Sequence, residues 1–146
     1  MASGVGVDQQ CIVDTQHLVK ERKYRAVILK INDSMTLVEV EKTFPVAHGD
    51  AKTHYMEVAK TLPEDDCRYL VYDFEYEMQG INKNKVVFLL WSPECSKVKS
   101  KMIYASSQEG VVNALQGISR QLQATDVDEL DYAHIAKHLK QHTASY

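Results

Sequence analysis

Three histidines near the C-terminus have a spacing that could bind zinc. His134, His138 and His142 recur every four residues in a segment that is predicted to be helical, and zinc-binding helices use such a pair of histidines one turn apart. No glutamate lies between the first two to act as a general base, and Lys137, which does lie there, would repel a cation. We therefore interpret these side chains as a solvated helix flank and predict no metal.

Other arrangements that could support catalysis are weak or missing. Residues 64–66, Glu-Asp-Asp, could suggest acid catalysis or metal binding, but they follow a predicted helix end and precede a strand, which indicates an exposed turn. The local sequence contains no Ser-His-Asp or Cys-His arrangement and no glycine-rich phosphate loop. We predict that the protein is not an enzyme and uses no cofactor.

The cysteines point to a reducing compartment. Cys11, Cys67 and Cys95 are odd in number and far apart, so they form neither a disulfide framework nor a Cys-x-x-Cys metal site. We interpret them as reduced, small packing residues of a cytoplasmic protein.

The composition indicates one globular domain. The chain has 146 residues, of which 45% are hydrophobic and 25% charged, with a net charge of -3. This balance supplies a core and argues against a dedicated nucleic-acid binder, which usually carries a basic face. The sequence has no apolar run long enough to span a bilayer, and residues 1–7 do not have the pattern of a signal peptide.

Strand and helix patterns alternate along the chain. We predict strands at 26–31, 36–42, 69–76, 86–91 and 118–124, a loop at 44–49 and a polar turn at 79–84. We predict helices from Asp8 to about Arg22, from a cap at Thr53 to Pro63, from about residue 97 to Leu115 with a kink near Ser107, and from Asp128 to about His142. The pattern predicts the α/β (α+β) class, with a mixed sheet sandwiched between helices.

The helix after Trp91 has apolar residues on two sides. At about 100° per residue, Ser100, Ile103, Tyr104 and Ser107 share one side, while Val98, Met102 and Ala105 lie nearly opposite. Lys97, Lys99 and Lys101 flank the second group. An apolar centre with a cationic rim is typical of a protein-binding surface. The alternative, that this domain itself covers both faces, stays open on spacing alone.

Ser3 lies in a segment of small residues that we predict to be flexible. It could be an ordinary disordered serine. Its phosphorylation would instead add about two negative charges where a partner surface approaches.

Several motifs together resemble the ADF/cofilin family. They are Met-Ala-Ser-Gly-Val-Gly-Val at 1–7, Leu-Pro-Glu-Asp-Asp-Cys-Arg-Tyr at 62–69, Val-Tyr-Asp-Phe-Glu-Tyr at 71–76, Trp-Ser-Pro-Glu at 91–94, Lys-Ser-Lys-Met-Ile-Tyr-Ala-Ser-Ser at 99–107 and Leu-Gln-Ala-Thr-Asp at 122–126. The resemblance covers the chain in order and implies a single ADF-homology domain over residues 1–146. Its expected fold is a mixed sheet of five or six strands with helices on both faces.

The resemblance implies a monomeric protein of the actin cytoskeleton, which binds actin monomers and filaments and depolymerises and severs filaments. It assigns an actin-binding face to Ser3, Gly4, Val98, Lys99, Lys101 and Met102, and a filament-specific face to Lys83, Lys85 and Lys137. It also implies a regulatory kinase that acts at Ser3.

The resemblance is incomplete after the signature helix. Gln108, Glu109, Val112, Asn113 and Ala114 replace a cluster of basic residues, so phosphoinositide binding is not implied. The alternative is an ADF-homology module that binds only actin monomers or an Arp2/3-type complex and does not sever filaments.

Overall fold

A computed structural model describes residues 4–46 and 49–141. Six strands form one sheet in the order β1-β3-β2-β4-β5-β6. The pairings β1–β3 and β5–β6 are parallel and the others are antiparallel. The strands are β1 (Gly6–Val7), β2 (Tyr24–Ile31), β3 (Leu37–Pro45), β4 (Arg68–Met78), β5 (Ile81–Trp91) and β6 (Arg120–Ala124).

Helices cover both faces of this mixed sheet, as predicted. One buried cluster joins the sheet to the first and third helices, and the other joins it to the remaining three. The helices are α1 (Gln9–Val19), α2 (Ala51–Ala59), α3 (Val98–Leu115), α4 (Val127–Leu130) and α5 (Tyr132–Gln141).

The N-terminal strand was not predicted. The small residues at 1–7 predict a flexible segment, whereas Gly6 and Val7 pair with Leu37 and Val38. Val5 is fully buried. Two residues are too short for a periodic pattern, and only the distant β3 makes them a strand. Residues 1–3, including Ser3, lie outside the described residues.

Two predicted features of the helices are wrong. Helix α3 continues through Ser107 without a break, because Ser107 is fully buried on its inner side and the Ser106 hydroxyl donates to the Ile103 carbonyl within the helix (3.3 Å). The closing helix is divided at Asp131, whose backbone is extended. The Asp131 carboxylate accepts a hydrogen bond from Ala133 N (3.2 Å) and so begins α5.

The predicted cap of α2 and the predicted length of the turn at 79–84 are also wrong. Asp50, not Thr53, caps α2, because its carboxylate accepts from Thr53 N (3.2 Å) and Thr53 Oγ1 (2.9 Å). The predicted turn at 79–84 shrinks to Gln79 and Gly80, with φ values of 55° and 78°. Positive φ at both residues is the turn geometry that joins two strands directly, so residues 81–84 belong to β5.

Candidate functional site

Helix α3 has the two faces that its sequence predicts. Tyr104 is 3% exposed and contributes with Ser107, Val111 and Leu115 to the buried face. Val98 and Met102 are 70% and 67% exposed. Within the described residues this domain leaves the second face uncovered, so the partner-face interpretation is favoured.

Two tyrosines fix the buried side of α3 to the sheet. The Tyr69 hydroxyl donates a hydrogen bond to the Tyr104 carbonyl, and the Tyr104 hydroxyl accepts one from Ile31 N (2.9 Å). Burial raises the pKa of Tyr104 to about 12 and also raises the pKa of Tyr69. The helix cannot rotate its outer face inward without losing these hydrogen bonds.

Lysines border the exposed apolar residues. Lys99 is exposed, and Lys101 Nζ donates to the Glu94 carbonyl (2.8 Å) in the turn that precedes the helix. A groove beside them runs between α3, this turn and β6, and is lined by Leu90, Ser92, Glu94, Lys101, Met102, Ala105, Gln123 and Thr125. We call the surface formed by Val98, Lys99, Lys101 and Met102 the helix patch. It offers apolar contact area with positive charge at its edge.

Gly4 is the described residue nearest to the predicted phosphorylation site. It is exposed, has a φ of +75°, and has open space where a side chain would project. The next residue, Val5, belongs to the same buried cluster as Tyr104 and Val111. The chain is thus anchored against the layer that contains α3 directly after Gly4.

A second surface lies on a hairpin that projects from the sheet. Strands β4 and β5 pair along their whole length, but β2 pairs with β4 only as far as Tyr72, and β6 pairs with β5 only from Val87. Residues 73–86, which we call the projecting hairpin, thus have no other strand beside them in the described sheet. Lys83 and Lys85 lie on one face of this hairpin because side chains alternate along a strand.

The tip of the hairpin holds a residue that sequence reasoning missed. Ile81 is 61% exposed directly after the two-residue turn. The polar sequence around it predicts a turn over 79–84, which gives no sign of an exposed apolar strand residue. An apolar residue at the tip of a hairpin with lysines along it has the same chemistry as the helix patch.

Lys137 lies on the same side of the sheet as the hairpin lysines. It is exposed on α5, between residues that pack in the cluster beneath α2, α4 and α5. A groove between α2 and α5 includes Lys137 with Lys52, Lys140 and Tyr132. Of the predicted residues that the structure describes, those of the helix patch lie on one layer, and Lys83, Lys85 and Lys137 lie on the opposite one.

The residues that could suggest acid catalysis or metal binding have contacts that a structural role explains. Asp66 accepts hydrogen bonds from Arg68 Nη1 (2.7 Å) and Cys67 N (2.8 Å). The His134 and His138 rings are 5.5 Å apart, and no group of metal-ligating side chains occurs in the described ranges 4–46 and 49–141.

The cysteines differ in their surroundings. Cys11 and Cys67 are buried, and burial raises the pKa of Cys11 to about 12. Cys95 is exposed, so the prediction that it is a packing residue is wrong.

Within residues 4–46 and 49–141, every helix is too short or too polar to cross a membrane.

The fold and these two surfaces define a small α/β binding module. The chain belongs to the family of cofilin/tropomyosin-type actin-binding proteins, whose sequence model matches residues 4–140.

Named relatives and solved structures agree with this family. The chain is 40% identical to a cofilin of Ogataea parapolymorpha, over 97% of this chain and 96% of that protein. It is 37% identical to actin-depolymerizing factor 3 of Zea mays, over 91% and 93% of the two chains. A crystal structure of Streptomyces griseoflavus cofilin matches with a TM-score of 0.83 and 33% identity, over 94% of this chain and 98% of that chain.

Proposed function

We propose that this protein binds actin monomers and filaments, promotes filament depolymerisation and severs filaments, without catalysing a reaction. The observation that carries the proposal is the helix patch, where Val98 and Met102 remain exposed on a helix whose other face is buried. Membership of an actin-binding family supports actin as the partner, and its place of action is then the actin cytoskeleton of the cytoplasm.

The helix patch and the segment around Ser3 and Gly4 form the surface for one actin subunit in this proposal. Val98 and Met102 supply the apolar contact, and Lys99 and Lys101 supply charge at its edge. Phosphorylation of Ser3 by a kinase would place negative charge beside this surface and weaken binding.

Lys83, Lys85 and Lys137 form the surface for a neighbouring subunit. A protein that touches two subunits can favour one filament twist over another, because it binds the two twists with different free energies. If the favoured twist has weaker contacts between subunits, binding promotes loss of subunits and breakage. Depolymerisation and severing then need both surfaces, whereas monomer binding needs only the first surface, formed by the helix patch and the segment around Ser3 and Gly4.

Co-sedimentation with actin filaments tests the proposal. The wild-type chain should pellet with filaments and raise soluble actin with time, and filaments watched by microscopy should shorten and break. Binding to monomers with no effect on filaments would overturn the depolymerising and severing roles and leave the monomer-binding alternative.

Paired substitutions assign the two surfaces. Lys99→Ala with Lys101→Ala should lower affinity for monomers and filaments by about tenfold or more, whereas Lys83→Ala with Lys85→Ala should lower filament affinity alone. Lys42→Ala with Lys60→Ala removes the same charge from exposed positions on β3 and after α2 and is the matched control. Equal losses from all three variants would show that only net charge matters.

A further inference from the structure

The projecting hairpin needs support from outside its own two strands. An isolated two-stranded hairpin is marginally stable in water, and beyond the pair Asp73–Val86 each strand of this hairpin has only the other as a strand partner. The direction of the hairpin must therefore be set by side chains at its base.

A buried carboxylate lies at that base. Asp73 is 5% exposed. Its Oδ2 accepts from Arg22 Nη2 at 3.1 Å, and its Oδ1 accepts from Asn84 Nδ2 at 3.0 Å. Asn84 belongs to the opposite strand of the hairpin, and Arg22 belongs to the loop after α1. Asp73 thus connects both hairpin strands to the helix layer.

The loop after α1 is shaped for this contact. Arg22 has a φ of 55°, a left-handed conformation that residues other than glycine adopt infrequently. The following residue closes this turn, with Lys23 N donating to the His17 carbonyl (2.9 Å). A second ion pair comes from the start of β2, between Arg25 Nη1 and Glu75 Oε1 at 2.7 Å, and the Arg25 side chain is only 11% exposed.

The other face of the hairpin packs on α5. The Tyr132 hydroxyl donates to the Glu75 carbonyl (2.6 Å), and the Tyr132 and Phe74 rings stack with centroids 4.9 Å apart. The hairpin is therefore held on both faces. The Asn84 side chain points toward Asp73, so the side chains of its neighbours Lys83 and Lys85 lie on the opposite face, which is the α5 side. The hydrogen bonds to Asp73 come from Arg22 and Asn84 and do not involve these lysines.

We propose that Arg22 is a positioning residue for filament binding. Its ion pair with Asp73 holds the projecting hairpin in the direction that presents Lys83 and Lys85 to a filament. The inference rests on the proposed function for its actin readout, but the state of the hairpin can be measured without actin.

Arg22→Gln tests the inference, because it removes the charge and keeps a long polar side chain. Hydrogen exchange should show about tenfold or greater loss of protection for amides of residues 73–86, while amides of α3 keep theirs. Filament affinity should fall by about three- to tenfold with monomer affinity unchanged, and Arg22→Lys, which keeps the cation, should restore much of both properties.

Lys23→Gln is the matched control, because it removes one positive charge from the adjacent residue. Lys23 is exposed and lies 3.7 Å from Glu21 in its own loop. It should leave hairpin exchange and filament affinity at wild-type values.

The outcomes separate this inference from the proposed function. Unchanged exchange of the hairpin amides in Arg22→Gln, or equal losses of monomer and filament affinity, would overturn the positioning role. Suppose that Lys83→Ala with Lys85→Ala weakens filament binding, and that Arg22→Gln loosens the hairpin but leaves filament binding unchanged. In that case only the positioning role fails. If the double lysine variant binds filaments normally, the proposed filament surface fails first.

Discussion

The Tyr69 hydroxyl donates a hydrogen bond to the Tyr104 carbonyl, and the two rings lie 4.9 Å apart. This contact joins the central strand β4 to the N-terminal half of α3. It accounts for the outward direction of Met102, since that residue lies on the side of α3 away from Tyr104. The orientation of the helix patch thus depends on a few buried polar contacts.

Removing one of these contacts should destabilise the fold. In Tyr104→Phe, Ile31 N loses its acceptor inside the core, and a buried unpaired donor costs about 1–3 kcal/mol. Urea denaturation should show this decrease in the free energy of unfolding. Tyr24→Phe removes a hydroxyl from a half-buried tyrosine and should change stability much less. Equal effects would mean that the bond to Ile31 contributes nothing specific.

Met102→Ala should weaken actin binding without affecting folding. Met102 is 67% exposed, so truncation should change stability by no more than about 0.5 kcal/mol, whereas loss of a central apolar contact should weaken binding by about tenfold or more. Thermal melting and monomer titration measure the two effects. Val13→Ala, at a partly exposed valine on α1, is the control and should retain full affinity. Unchanged affinity of Met102→Ala would remove this residue from the interface.

Ser3→Glu should lower affinity for monomers and filaments, while Ser3→Ala should bind as the wild type does. The physical reason is negative charge next to the anchor at Val5, which packs in the same cluster as the buried face of α3. Ser34→Glu adds the same charge to the exposed turn between β2 and β3 and controls for net charge. If both glutamate variants lose equal affinity, Ser3 is not a specific switch.

Acidification should destabilise the contact between α2 and β4. Burial, followed by the nearby Arg25 cation, lowers the pKa of His54, whose Nδ1 lies 3.1 Å from the Tyr72 hydroxyl. The folded state then binds fewer protons than the unfolded state just below the ordinary histidine pKa of about 6.5. The stability that neutral His54 contributes is therefore fully present above a pH of about 6.5 and is lost as the pH falls toward the lowered pKa of His54.

Melting temperatures at about pH 7.5 and about pH 5.5 measure this effect. The difference between them should be smaller in His54→Asn than in the wild type. His134→Asn, at an exposed histidine, should keep the wild-type difference. An unchanged difference in His54→Asn would contradict the assignment to His54.

The predictable parts of the fold are those whose pattern is local. The run at 86–91 is apolar throughout and forms the C-terminal half of β5, where it is buried on both faces. The spacing of Tyr104 and Met102 is enough to place them on different faces of α3. By contrast, β1 exists only because Gly6 and Val7 meet residues about thirty positions later, and no window of sequence contains that pairing.

The same distinction applies to the candidate surfaces. Val98 and Met102 were found because helical period exposes them. The polar stretch around Ile81 predicts a turn, whereas pairing with Met78 of β4 makes this residue part of a strand. The bond between Arg22 and Asp73 joins residues separated by 51 positions, and neither residue carries a local signal of it.

The order of strands has a consequence for folding. The antiparallel pairs β2–β3 and β4–β5 are connected by short turns, whereas the parallel pairs β1–β3 and β5–β6 lie at the two edges and have longer stretches of chain between their strands. Contacts between distant positions form more slowly, because loop closure costs entropy before they stabilise the chain. We expect the two central hairpins to assemble first and the edge strands to join last. The N-terminal strand would then secure Val5 against the finished layer only at the end of folding.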